Sequence, residues 1–435
     1  MYQRMPETQP DGSVVMVPQT TKDVGAPDER QHANYVKGLL EGKGLPVLDP
    51  KDPELYENYQ AHQPPLYYWI AAAFSKVTGA DPADQQSGSR LRLLSILFGL
   101  ATLAGIYFLI KWADGRDEVA WAGMSFGLMP MFIGLNSAVS NDPLLYAAIT
   151  WSCALSVRAM RHGGSWKEML VLGLAVAAAF ATKTTSLALI PTLITALAIT
   201  WKSEKGQKLV LGGGLVFALV LASPVWLRNM SLYGDPFALK VFQASFGGSA
   251  QASTFIETSG AFSYWTQMVM LWTVRSLVGV FGYMDIYLLE PLGQAKFNQI
   301  YLALAFIIGV ILALGAAPKG GDSGVDDEDS EPTPRAIWPL AILGIVVLLL
   351  FIQFNRTYFQ GQGRYLYPAI PLFALLWGRG LVFAFKGRSG AWIAGAVALG
   401  ALSLLFLTQL PQSFKVRTGS PADEVSRRYN EPSDG

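Results

Sequence analysis

The sequence predicts an all-α, polytopic membrane protein of about ten transmembrane helices, with interfacial helices in its first external loop. Three observations carry that prediction. Of 435 residues, 51% are hydrophobic and only 15% charged, against roughly 25% charged in soluble globular chains. Long apolar segments follow one another between charged or turn-rich breaks. The charges in those breaks are uneven, with basic residues gathered on alternate loops. The 43 Gly and 12 Trp suit the same class, because Gly is frequent in membrane helices and Trp at their interfaces. A net charge of +1 supplies no field to draw nucleic acid. Cys153 is the single cysteine, which excludes an intramolecular disulfide.

Taken in order, residues 1–27 form a polar N-terminal segment without the apolar stretch of a secretory signal. Residues 28–90 read as an external loop. Within it a helix over 33–41 puts Tyr35, Val36, Leu39 and Leu40 on one side, and Gly42 and Gly44 stop it. Pro64 and Pro65 open a second helix over 66–77. It falls short of the roughly 20 residues that a span needs. Tyr67, Tyr68 and Trp69 mark it as interfacial. The transmembrane domain, 91–410, holds apolar segments at 91–110, 119–139, 143–157, 169–182, 184–200, 209–227, 300–317, 337–354, 365–385 and 391–410. Inside a bilayer the backbone of so many segments is satisfied only as helices. A polar tail, 411–435, closes the chain.

Threading these segments alternately puts 111–118, 158–167, 202–208, 319–335 and 386–388 on one side. Three of those loops are basic, which makes that side cytoplasmic. The first 90 residues, 140–142, Lys183, 228–299, 355–364 and the tail then lie outside. The alternation holds if 262–283, interrupted by Gln267, Arg275 and Ser276, is interfacial or re-entrant. The acidic stretch 322–331 reads as a disordered cytoplasmic linker.

Candidate chemistry lies outside the membrane. Asp28-Glu29 suits a helix start, Asp capping and Glu facing the dipole. On an external face a carboxylate there can also take the proton of an attacking hydroxyl. His32, one turn on, suits holding an acceptor or a metal, and nothing else in the sequence supports a divalent metal. His62 and Gln63 precede the two prolines. They are either a stiff helix entry or a phosphate site in which His62 gives a donor or a charge. Lys183, Arg228, Arg275 and Arg364 sit at outer ends of apolar segments. There they can snorkel to lipid phosphates or converge on a phosphate leaving group. Arg364 is preferred, since Gly361 and Gly363 allow close backbone approach and its fork is bidentate. Tyr67 and Tyr365 complete the candidate binding set. Ser140-Asn141-Asp142-Pro143 reads as turn and cap chemistry. Asn229 and Asn355 open Asn-x-Ser/Thr triplets.

Together these stretches resemble the glycosyltransferase C superfamily, above all its family 39-type mannosyl- and aminoarabinosyl-transferases and their bacterial relatives. The resemblance is carried by Asp28-Glu29 as the acidic pair of the first external loop and by the run from His62 to Trp69. It extends to 140–142, 182–191, 228–236, 281–285 and 362–368. It implies an inverting transfer of a sugar from a polyprenyl-phosphate donor. Asp28 would be the base, Glu29 would orient the acceptor, and His62, Arg364 and Lys183 would hold the phosphate. The acceptor would be a glycan, lipid or protein hydroxyl. No cofactor is required, and the site would lie on the extracytoplasmic side of the cell membrane. In such proteins a transmembrane helix precedes the acidic loop, whereas here residues before Asp28 are polar. That fits a truncated chain, a shifted start or a branch without the helix. The competing classes are a lipid or sugar transporter (a flippase), with ionisable groups in mid-span, and a non-catalytic scaffold, in which Asp28-Glu29 only caps a helix.

Overall fold

The computed structural model describes residues 4–8, 14–18, 28–84, 88–203, 205–247, 249–281, 286–287, 294–317, 334–385, 393, 395–401 and 403–404. The acidic linker 322–331, residues 282–285 of the 281–285 motif, the tail, most of residues 1–27 and half of the 391–410 segment lie outside the described residues. Helix dominates. The all-α expectation holds, with two small antiparallel ladders beside the helices: Arg4–Thr8 with Val14–Pro18, and Val280–Phe281 with Ile286–Tyr287.

Among the described residues, five helices are long and apolar enough to cross a membrane: Leu91–Asp114, Leu209–Tyr233, Gln299–Ala316, Ile337–Thr357 and Gly363–Ala384. The expected number of about ten is not reached among the described residues, and the reasons are local. The segment 119–139 breaks into Asp117–Met124, a 3-10 turn Ser125–Leu128 and Pro130–Leu135. Met129 is extended, and Pro130 opens a new helix at its first position, where the missing N–H costs nothing. Asp142–His162 is long enough at 21 residues, yet it is not among the five. It lies in the centre of the bundle with Thr150, Ser152 and Ser156 buried. Ser152 and Ser156 donate to carbonyls one turn back, at 2.7 and 2.6 Å. A helix surrounded by protein need not look like lipid. Trp166–Phe180 and Thr184–Ile199 are shorter. Ala261–Ser263, the π-turn Tyr264–Met270 and Leu271–Gly279 follow each other where a non-crossing segment was expected, and none is among the five.

Close helix contact depends on small residues. A methyl group at Gly315 or Gly380 would collide with the carbonyl of Leu376 or Ile311, so Gln294–Ala316 and Ile370–Ala384 meet backbone to backbone.

The segment between residues 28 and 90 folds down on the bundle. Its helices are Glu29–Leu40 and Leu66–Thr78. Tyr35, Val36, Tyr67, Tyr68 and Ala71 pack with Leu91, Leu94, Val139 and Leu144 in one apolar cluster. Tyr35 stacks on Tyr68 with ring centres 3.6 Å apart. Of the three aromatics expected at the interface, only Trp69 is exposed. Tyr67 and Tyr68 are wholly buried, because the loop needs a core of its own to be held against the helix ends. Asn229 and Asn355 are buried and hydrogen-bonded to nearby carbonyls, which removes both as glycan acceptors in the folded chain.

Candidate functional site

Asp28 decides between the two readings of the acidic pair. It precedes the Glu29–Leu40 helix but makes no side-chain cap. Its backbone is left-handed, at φ 69°, which is strained for a residue with a side chain. The carboxylate is turned elsewhere. Oδ2 accepts a 2.8 Å hydrogen bond from Nη2 of Arg364, and Oδ1 accepts from the Tyr59 hydroxyl. Burial pushes this carboxyl up, but the Arg364 charge and the Tyr59 hydroxyl outweigh it and hold the group below its ordinary value. The side chain remains 23% exposed. Asp28 is therefore an ionised acceptor with some access to solvent, not a cap.

Glu29 faces another way. It is 1% exposed and takes both Arg92 donors, Nε at 3.2 Å and Nη2 at 2.9 Å, together with the Val139 amide at 2.7 Å. It ties the acidic turn to the 139–142 turn.

That second turn brings the next charge pair. Asp142, buried, accepts a 2.6 Å hydrogen bond from Nζ of Lys183. His32 lies among both pairs. Burial pushes its imidazole down to about 4, with Asp28 and Asp142 pulling upward and Lys183 and Arg364 pushing down. Its Nδ1 is 2.8 Å from the Tyr68 hydroxyl and its Nε2 3.4 Å from Oγ of Ser140. Two carboxylates, two cations and a neutral histidine thus meet where four separated stretches converge.

His62 joins through Tyr59, whose carbonyl accepts from Nδ1 at 2.7 Å. Burial brings the His62 ring down to about 4 as well. It is neutral near pH 7, and its Nε2 accepts from Gln63 at 3.1 Å. Of the two roles expected of it, a donor or a charge, the lowered value favours the neutral one. Gln63 accepts in turn from Asn141 at 3.3 Å, and Asn141 also donates to the Thr182 carbonyl at 3.2 Å. The leading amide of the Leu66 helix is bonded to the Ala181 carbonyl at 3.0 Å, so the predicted anion cradle loses its first donor to the protein.

Arg364 sits in the 3-10 turn Gly363–Ala369. The Gly363 amide donates to Oγ of Ser276 at 2.7 Å, and a side chain at Gly363 would strike the Leu277 backbone. That contact sets the arginine beside the Leu271–Gly279 helix, which holds the buried Arg275 against Trp272. Tyr365 lies under the guanidinium, ring centre 5.1 Å away, and its hydroxyl accepts from Nη2 at 3.3 Å. Nε of Arg364 and Oδ1 of Asn141 are buried without a hydrogen-bond partner.

Two candidates fall away. Arg228 gives Nη2 to the carbonyls of Leu45 and Pro46 at 3.2 and 2.8 Å, pinning the loop between the first two helices. Tyr67 is core. Three residues were missed as parts of the site. Asp142 and Asn141 looked like turn chemistry because Pro143 follows them. Tyr59 lies in a 3-10 turn, Tyr59–His62, without a sequence signature. No group of three or more His, Cys, Asp or Glu placed to hold a metal occurs among the described residues.

Residues 62–227 match the family described as dolichyl-phosphate-mannose-protein mannosyltransferase. No curated protein matches the sequence significantly. Among solved structures, ArnT from Cupriavidus metallidurans bound to undecaprenyl phosphate aligns with a TM-score of 0.52 and 16% identity, over 91% of this chain and 69% of ArnT. The archaeal oligosaccharyltransferase AglB from Archaeoglobus fulgidus, with an inhibitory peptide and a dolichol-phosphate, gives a TM-score of 0.44 and 13% identity, over 95% of this chain and 56% of AglB.

Proposed function

We propose that this chain, a multi-pass membrane protein with an ArnT-like fold, is a glycosyltransferase that takes a sugar from a polyprenyl-phosphate donor and passes it, with inversion, to an acceptor hydroxyl at the extracytoplasmic face. The observation that carries the reading is Asp28, a carboxylate released from capping in a strained backbone and held beside Arg364. A helix cap would need neither feature. The match of residues 62–227 to a lipid-phosphate-sugar-dependent family supports the same reading.

The chemistry follows from the groups present. The acceptor hydroxyl gives its proton to Asp28 as its oxygen bonds to the anomeric carbon. The bond from that carbon to the phosphate oxygen breaks, and the electron pair leaves on polyprenyl phosphate. A phosphate is already a stabilised anion, so the second carboxylic acid that glycosidases need for their leaving group is not required. Arg364 and Lys183 stabilise the charge as it develops. Asp142 holds Lys183 in place, Tyr59 fixes the second oxygen of Asp28, and His62 and His32 contribute hydrogen bonds as neutral rings. The reaction as written calls for no cofactor. A transport path would set buried charges in mid-span, whereas among the described residues the buried carboxylates Glu29, Asp114, Asp142 and Asp235 stand at or just beyond helix ends.

The test is to incubate purified protein with a panel of polyprenyl-phosphate sugars and an envelope-derived acceptor mixture. Release of polyprenyl phosphate with sugar transfer is expected. Vectorial movement of intact lipid without release would replace this reading with transport.

A further inference from the structure

We infer that the Asp28–Arg364 ion pair is a resting-state lock that the donor phosphate opens, so that the base is released only when the donor is bound. The inference rests on the glycosyltransferase reading and concerns how that site is controlled.

Both oxygens of Asp28 are engaged, one by Arg364 and one by Tyr59. A carboxylate gripped in this way is a poor proton acceptor, because each donor stabilises the charge that protonation would remove. The same arginine is the best-placed cation for the donor phosphate. It is held in place from below by Tyr365 and from behind by the Gly363–Ser276 contact. It also carries one buried donor, Nε, with no partner, so its hydrogen-bonding capacity is not exhausted by Asp28. A phosphate accepts two parallel hydrogen bonds from one guanidinium. It therefore competes with Asp28 for Nη2 while giving Nε the partner it lacks. When the phosphate wins, Asp28 loses its strongest restraint and becomes available to an acceptor hydroxyl. Binding is then ordered, donor before acceptor, and a hydroxyl arriving first meets an engaged carboxylate.

The consequence is measurable without turnover. Asp28 and the phosphate compete for one arginine, so removing the charge of Asp28 strengthens phosphate binding. Affinity for undecaprenyl phosphate is measured in detergent for wild type, Asp28→Asn, Arg364→Gln and the double variant, each first checked for monodispersity and helix content. Asp28→Asn is expected to bind roughly tenfold tighter than wild type, within the usual range for coupling between two sites. Arg364→Gln is expected to bind roughly tenfold weaker, as the loss of a charge-assisted hydrogen bond implies. In the Arg364→Gln background the gain from Asp28→Asn is expected to vanish. A gain of equal size with and without Arg364 is plain repulsion between carboxylate and phosphate, and it overturns the lock. No gain in Asp28→Asn overturns the lock while leaving the glycosyltransferase reading in place. Failure of wild type to bind polyprenyl phosphate at all sinks both.

Discussion

The segment from Gly363 to Ala384 carries an arginine near each end, and each grips an aspartate of another element. At one end Arg364 holds Asp28, and at the other Arg379 holds Asp114, with Nε 2.7 Å from Oδ2. The two pairs look alike in a list of ion pairs, but they differ in every respect that separates chemistry from scaffolding. Asp114 is fully enclosed and takes a second arginine, Arg116, on its other oxygen at 2.7 Å. Asp28 retains some exposure, takes one arginine and one phenol, sits in left-handed backbone, and has the Asp142–Lys183 pair nearby. The saturated carboxylate locks two helix ends together. The partly exposed one is held by partners that a ligand entering from solvent can displace. A buried ion pair by itself identifies neither.

The comparison is broken most directly by neutralising each aspartate. Asp28→Asn is expected to lower turnover by roughly 100- to 10,000-fold, the contribution of a positioned base, with a smaller fall in thermal midpoint than Asp114→Asn because Asp28 is partly exposed. Near-normal transfer by that variant would falsify Asp28 as the base. Asp114→Asn should do the reverse. It leaves two arginines around a neutral group, and loss of one partner from a buried pair costs about 3 kcal/mol or more. That loss should appear as a lower unfolding midpoint, while the protein that remains folded keeps its specific activity.

Glu29 sharpens the contrast from within the site. If it positions the acidic turn through Arg92 and Val139, Glu29→Gln and Arg92→Gln should each lower stability by about 2 kcal/mol, as expected for an unsatisfied buried partner. Both should lower kcat with little change in the acceptor KM. A selective rise in acceptor KM for Glu29→Gln alone would return Glu29 to acceptor binding.

The smallest effect concerns pH. His32 and His62 ionise near 4 in the folded chain, against roughly 6.5 when unfolded. Between those values the unfolded chain binds more protons, so stability is flat above about pH 6.5 and declines as pH falls toward 4. Asp28, with its lowered value, adds a contribution present above its unfolded value and lost as pH falls through its folded one, at still more acidic pH. Unfolding midpoints measured across this range should fall in that direction, and His32→Gln should flatten the slope. A transition centred at neutral pH would show that one of the rings is charged in the folded protein.

Much was legible in the sequence. Composition and apolar runs are summed over many residues, so they determined the helical membrane fold, and Pro64-Pro65 and Gly42 punctuated the external helices at nearly the right places. Asp28, Lys183 and Arg364 could be selected because charge next to apolar surface is costly and stands out locally. Other features depend on what lies across the fold. That Asp142 meets Lys183 and that Tyr59 meets Asp28 are contacts between distant stretches, and no local pattern encodes them. The same holds for His62, whose residue type allowed a charge that burial disfavours. It holds too for Tyr67, whose position beside two prolines suggested an interface until packing enclosed it. Asp142–His162 shows why counting spans from apolarity fails, since a helix sheltered by its neighbours can keep polar side chains that bond to its own carbonyls. The sequence by itself determined that the chain is a helical membrane protein and which charged residues stand between its apolar segments. Only the tertiary structure decided which of those charges are used up by one another and which remain available, because saturation of a charge is a property of its neighbours and not of the residue.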